Sequence, residues 1–271
     1  MSHPFDAGYS GAFRELCEEY PGAETYPSDA FRTEWGPVFH RGRLDGSARV
    51  LVLGQDPAQH EVIARRILVG EAGHRVQGFL AKLGIDRAYV MINTFLFSVY
   101  GQGGGTKHQN DPGIIAYRKR WLDALIAGSN LEVVVSLGGL ADNAWKAWKA
   151  TPEGAAVNPA YAKITHPTQP ESSSKGDPAK RAIAVRAMLR NWNLALQALK
   201  PSLAHSDSPR ALTLYGDDFQ PGDLADIPEA DFPAGTPAWM SGAANFAKRT
   251  GSTPAAKRAT ITVTVPKAFR P

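Results

Sequence analysis

Short apolar runs alternate along this chain with segments whose apolar residues recur every three or four positions. Ala48 to Leu53 is continuously apolar but for Arg49, as suits a strand buried on both faces. Ala88 to Ile92 and Leu131 to Leu137 read the same way, and Tyr161 to Thr165 is a shorter candidate. Val76, Phe79, Leu80 and Leu83 share one helical face, which Gly84 terminates. Asp111-Pro112 is a cap with a first-turn proline, opening a helix with Ile115, Leu122 and Ile126 on its apolar side. Leu140, Ala144 and Trp148 mark a third helix. Asp177-Pro178 opens a fourth, where Val185, Met188, Leu189, Trp192, Leu196 and Leu199 keep a 3.6-residue period. Strand and helix in alternation predict a parallel sheet covered on both sides. The expected fold is α/β, a three-layer sandwich around a central four-stranded, mostly parallel sheet.

After Pro201 the texture changes. Asp217 to Asp231 holds six acidic residues and no basic one, whereas the charge turns basic from Lys248 onward. Ala259 to Val265 has the period-2 pattern of a strand. The expected division is a main domain of residues 1–200 and an appendage of residues 201–271, partly extended and packed on it. The role of that appendage is not legible.

Composition narrows the class. With 43% apolar and 21% charged residues, the 271-residue chain has enough material for a real core. A net charge of +4 permits a nucleic-acid partner without requiring one. Cys17 is the only cysteine, so no intrachain disulfide and no cysteine-ligated zinc or iron–sulfur cluster can form. No metal and no cofactor is expected. No secretory pattern is visible in Met1 to Tyr9, and a cytoplasmic monomer is the expectation.

In open parallel sheets, ligands bind beyond the carboxyl ends of the strands. The first strand runs into Gly54-Gln55-Asp56-Pro57 and the second into Asn93-Thr94. The third ends at Ser136-Leu137-Gly138-Gly139 and the fourth at His166-Pro167-Thr168-Gln169. A carboxylate, an amide and an imidazole therefore converge on one edge. Asp56 before proline is also an ordinary turn opener, Asn93 can close an Asx-turn, and His166 can be a plain loop histidine. None of those readings explains why all three share an edge. The phosphate-cradling G-x-x-x-x-G-K-[ST] loop is absent.

These motifs resemble the uracil-DNA glycosylase superfamily. Gly54-Gln55-Asp56-Pro57 looks like the first motif of its main branch. Glu61 followed by Leu68-Val69-Gly70-Glu71-Ala72-Gly73 looks more like the iron–sulfur branch, with its acidic residue and F-V-G-x-A-G. Val90-Met91-Ile92-Asn93 resembles the strand ending in the base-reading asparagine, Val135-Ser136-Leu137-Gly138 the third strand, and Ile164-Thr165-His166-Pro167 the second catalytic motif. The likeness spans about residues 45 to 195. It implies hydrolysis of the N-glycosidic bond of uracil in single- or double-stranded DNA, with free uracil as product. Asp56 and His166 would be catalytic, and Gln55, Ala58, Leu68 and Asn93 would surround the base. Two further readings stay open. One is a glycosylase for hypoxanthine, xanthine or mismatched thymine; the other is a non-catalytic DNA-binding module.

Departures from the pattern are informative. Leu68 stands where the family stacks the base on a Phe, with Phe95 or Phe97 as the alternative platform. Ala58 replaces the Tyr that blocks the thymine methyl, and Pro170 replaces an apolar wedge that enters the duplex. The four cluster cysteines of the closer branch are missing. The hydroxyl-rich stretch from Thr168 to Lys175, with Gln169 and Ser172, is expected either to contact DNA phosphates or to be a solvated loop. Gly101 to His108 is expected to be either a second DNA-facing loop or a plain mobile one, with the part near Gly103 as an alternative wedge. His74 is expected on a helix surface.

Overall fold

In the computed structural model, which describes residues 5–101 and 104–270, one five-stranded sheet organises the chain. Its strands are β1 (His40–Gly42), β2 (Val50–Gly54), β3 (Tyr89–Asn93), β4 (Val133–Leu137) and β5 (Ala160–Ile164), in the order β1-β3-β2-β4-β5. All neighbours run parallel except β1, which pairs antiparallel to β3. The expected four strands are all present, and β1 makes a fifth. His40-Arg41-Gly42 has no apolar residue to signal it. It is nevertheless fully buried, because the Arg41 guanidinium reaches Asp231 at 3.0 Å and hydrogen-bonds Gln77.

The described helices are α1 (Gly11–Glu18), α2 (Gln59–Ala64), α3 (Glu71–Lys82), α4 (Pro112–Gly128), α5 (Gly138–Lys149), α6 (Pro152–Ala155), α7 (Gln169–Ser174), α8 (Pro178–Leu199) and α9 (Pro254–Ala259). Alternation along β2 assigns the two layers. Val50 and Val52 pack with Val76, Phe79 and Leu80 of α3 and with Met188 and Trp192 of α8. Leu51 and Leu53 face the other way, onto Ile114, Trp121 and Leu122 of α4 and Trp145 of α5. Each such fully buried side chain is worth about 1.5–3 kcal/mol of transfer free energy.

Two helical expectations need correction. The inward face of α4 is Ile114, Tyr117, Trp121, Leu122 and Leu125, while Ile115 and Ile126 are only half-buried. The aromatic pair Tyr117 and Trp121 sets the stripe, and it pulls the face round by one residue. His74 is not a surface residue either, being 5% exposed. Its carbonyl accepts the Ala225 N–H at 3.3 Å, so chain from the C-terminal stretch covers it.

Described residues beyond 200 pack against the sheet and its helices. Ile227, Phe232, Met240, Phe246 and Ala247 form a third core with Ala64 and Val69. Two of its acidic residues are anchors. Asp231 is fully buried against Arg41, Arg43 and the Tyr89 hydroxyl, and Asp223 holds Lys82 at 2.7 Å. The basic end forms a two-stranded ladder of β6 (Ala247–Arg249) and β7 (Ile261–Val263), with α9 between them. The strand expected over 259–265 is thus only three residues long, since Ala259 closes α9.

Candidate active site

β2 lies where the direction of the strand connections reverses, the usual position of a ligand crevice. The loops after β2 and β3 are joined there. The Gly54 carbonyl accepts the Thr94 N–H at 2.9 Å and the Thr94 hydroxyl at 3.0 Å, and the Gln55 carbonyl accepts the Phe95 N–H at 2.9 Å. Gly54 stands opposite Asn93 in the ladder, and a Cβ on it would lie 2.2 Å from Asn93 Oδ1. Glycine at 54 therefore leaves the room that the Asn93 amide occupies.

Asp56 is half-buried, and its Oδ2 accepts the Val99 N–H at 3.0 Å. Burial pushes its carboxyl up to about 6, against the opposing pull of that N–H, of Gln55, and of the Arg32 and Arg249 guanidiniums. Ala58 is exposed, and its N–H donates to the buried Glu61 carboxylate at 3.0 Å. Burial and the nearby Asp56 both raise the pKa of Glu61.

His166 follows β5 and is fixed from three sides. Asn191 of α8 accepts the Thr165 N–H, and the Trp192 indole donates to the Thr165 carbonyl at 2.9 Å. Arg75 of α3 donates to the Pro167 carbonyl and pairs with Glu171 at 2.9 Å. Gly138, at φ +83°, brings the backbone after β4 against the His166 Cβ. The imidazole Nδ1 accepts the Thr168 N–H at 3.3 Å and lies 3.2 Å from the Thr168 hydroxyl. An Nδ1 that accepts leaves the proton of a neutral ring on Nε2. Burial drives the pKa of His166 down to about 4, so the ring is neutral at physiological pH and presents Nε2–H as a donor.

The other expected residues fall differently. Thr168 to Lys175 is not a loop: Gln169–Ser174 is helical, with Pro170 in its first turn and Glu171 tied to Arg75 and Arg181. Thr168 serves the imidazole, whereas Gln169, Ser172 and Lys175 are exposed. Leu68 is 7% exposed in the core beside β2, at φ +52°. Phe95 and Phe97 are buried in the opposite layer, so none of the three presents an open face. Gly104–His108 forms a short 3-10 helix, while Gln102 and Gly103 lie outside the described residues.

Sequence reasoning missed Arg32, Arg75, Asn191 and Trp192. Trp192 and Asn191 sit in a recognised helical pattern, but nothing there marks contacts with the His166 loop. Arg32 comes from a segment with no pattern, and Arg249 from the basic stretch after Lys248, which carried no signal that it reaches this edge.

A compact edge thus holds a carboxylate with a raised pKa, a neutral imidazole with its donor free, and an amide able to donate and accept. The sequence model described as the uracil DNA glycosylase superfamily matches residues 41–205. No curated protein matches the chain.

Proposed function

This chain belongs to the uracil-DNA glycosylase superfamily, and from that premise we propose that it hydrolyses the N-glycosidic bond of uracil in DNA, leaving an abasic site and free uracil. The observation that carries this reading is that Asp56 and a His166 whose proton is held on Nε2 follow the carboxyl ends of β2 and β5 at one edge of the sheet. Breaking the bond builds positive charge on the sugar and negative charge on the base. Ionised Asp56 orients the attacking water, accepts its proton and favours the cationic sugar. His166 Nε2–H donates to the uracil O2 as it becomes anionic. No proton needs to leave the imidazole.

Asn93 can offer its amide N–H₂ to O4 and its oxygen to N3–H of uracil. Cytosine has the opposite pattern and would leave these groups unpaired, a penalty of about 1–3 kcal/mol for each buried group. The base must be flipped out of a duplex or come from a single strand.

A second reading rests on Ala58. Its side chain ends at Cβ, where the main branch places a Tyr against the thymine methyl, which favours mismatched thymine as an additional substrate. The test is strand cleavage by alkali after incubation with oligonucleotides carrying uracil, hypoxanthine, xanthine or mismatched thymine. Cleavage at uracil is expected. Cleavage only at another base would move the substrate, and binding without any cleavage would leave a non-catalytic module.

A further inference from the structure

Arg32, Arg249, Lys257 and Arg258 surround one cleft of about 420 Å³. Arg32 comes from the N-terminal part of the chain; the other three belong to the β6–α9–β7 unit of the C-terminal stretch. Among the described residues none of the four forms an ion pair, whereas Arg41, Arg66 and Arg75 all do. Arg32 is 3% exposed and its Nε has no hydrogen-bond partner. Glu34 and Asp56 attract Arg32 only from beyond ion-pair contact, and gathering four like charges with no carboxylate against them is costly unless an anion fills the space between them.

The cleft adjoins the catalytic edge through a single residue. The Val99 N–H donates to Asp56, and the Val99 carbonyl accepts from Arg32 Nη1. The ring of Tyr100, the next residue, takes the Arg32 guanidinium at 4.4 Å and that of Arg258 at 4.9 Å. Tyr100 thus ties the C-terminal unit to the body of the protein beside Asp56.

From this arrangement we infer that the C-terminal stretch completes the DNA-binding surface, its Arg249, Lys257 and Arg258 joining Arg32 to seat the phosphodiester backbone next to the flipped nucleotide. The inference rests on the glycosylase reading for which nucleotide is flipped, but the cleft's affinity for phosphodiesters can be measured without excision. Phosphate contacts carry no base information, so the cleft acts on damaged and undamaged DNA alike.

The experiment uses the full chain and a fluorescein-labelled oligodeoxythymidine, which contains no uracil, with anisotropy followed across a KCl series. Replacing the three C-terminal cations together (R249Q, K257Q and R258Q) should weaken binding at low salt by about tenfold or more. It should also reduce the slope of log K against log salt by about 0.7 per lost contact. A charge-matched control, R14Q with R120Q and K146Q, should keep the wild-type slope. K257E alone, which leaves the Tyr100 contacts in place, should weaken binding too and covers the case in which the triple variant fails to fold. Affinity and slope equal to the control in the triple variant, or in K257E if only that folds, would overturn the inference, as would failure of the wild type to bind. If the wild type excises no uracil but the slope still falls in the variants, the glycosylase reading fails and the cleft stands. If excision is normal and the slopes match the control, the cleft alone fails.

Discussion

Asn191 Oδ1 accepts the backbone N–H of Thr165 at 2.7 Å and lies 3.2 Å from the Thr165 hydroxyl. The peptide just before His166 therefore hangs on α8 rather than on its own strand. Asn191→Ala should strand that N–H, costing about 1–3 kcal/mol of stability. It should also slow excision about tenfold by loosening the imidazole, with DNA affinity unchanged. Asn191→Asp keeps an acceptor and should recover most of the rate. Single-turnover kinetics beside thermal melting separates the two effects, and an Ala variant that loses stability at full rate would show that the helix does not place the imidazole.

Asp56 and His166 carry opposite pH signatures. Folding raises the Asp56 pKa from 3.8 to about 6, so on its own it lowers stability as pH rises through that window. Folding lowers the His166 pKa from 6.5 to about 4, so on its own it lowers stability as pH falls through nearly the same window. Near pH 5 the folded pair holds its one proton on the carboxyl, and the unfolded pair holds one on the imidazole. The two slopes cancel. Melting temperatures from pH 4 to 6.5 should therefore gain an upward slope with pH, relative to wild type, in Asp56→Asn and a downward one in His166→Gln; parallel curves would refute the pairing. Excision should rise with pH through about 6 as Asp56 ionises, and Asp56→Asn or His166→Ala should cost about 10²–10⁴ in rate.

Base choice should respond to two positions. Asn93→Ala should lose uracil release, since the substitution removes the amide that matches the O4 and N3–H edge of the base. Ala58→Tyr should suppress any release of mismatched thymine by more than it suppresses uracil, because the ring would occupy the space of the 5-methyl group. Competition assays on paired oligonucleotides measure both, and equal suppression of the two bases by Ala58→Tyr would place residue 58 away from the pyrimidine 5-position.

Pro170 is buried in the first turn of α7 and cannot reach into a base stack. Its exposed neighbour Gln169 is polar, and Glu171 is held by Arg75 and Arg181. Unstacking costs a few kcal/mol, which an inserted apolar side chain would help offset. Uracil in single strands or mismatches should therefore be the better substrate, and the abasic product should leave quickly. Tight binding of a duplex abasic analogue together with burst kinetics would contradict this.

What was legible in the chain follows from how each feature is encoded. Apolar runs announced β2, β3, β4 and β5 because those strands bury side chains on one or both faces. β1 was invisible, since its burial depends on Asp231, a partner 190 residues away. Asp56, Asn93 and His166 were readable because the strand ends that carry them lie at one edge of any parallel sheet. His74 was misplaced because the chain that covers it arrives from residue 225. Thr168 to Lys175 resembled a loop by composition, yet the Arg75–Glu171–Arg181 pairing holds it as a helix. The basic cleft needs residues 32 and 249–258 together, a juxtaposition no local pattern contains.

The Arg41–Asp231 contact also imposes an order of events during synthesis. When β2 to β5 have left the ribosome, the edge strand already carries a guanidinium meant for a dry interior, and its carboxylate has yet to be translated. Until then β1 either stays in water or docks with an uncompensated charge, and the β3 edge is left open to pairing with other chains. Because the same late stretch brings in Phe232 and then Arg249, the sheet is sealed and the wall of the cationic cleft completed in one closing step. A nascent or truncated chain ending before residue 231 would thus expose an unfinished sheet edge rather than a smaller working enzyme.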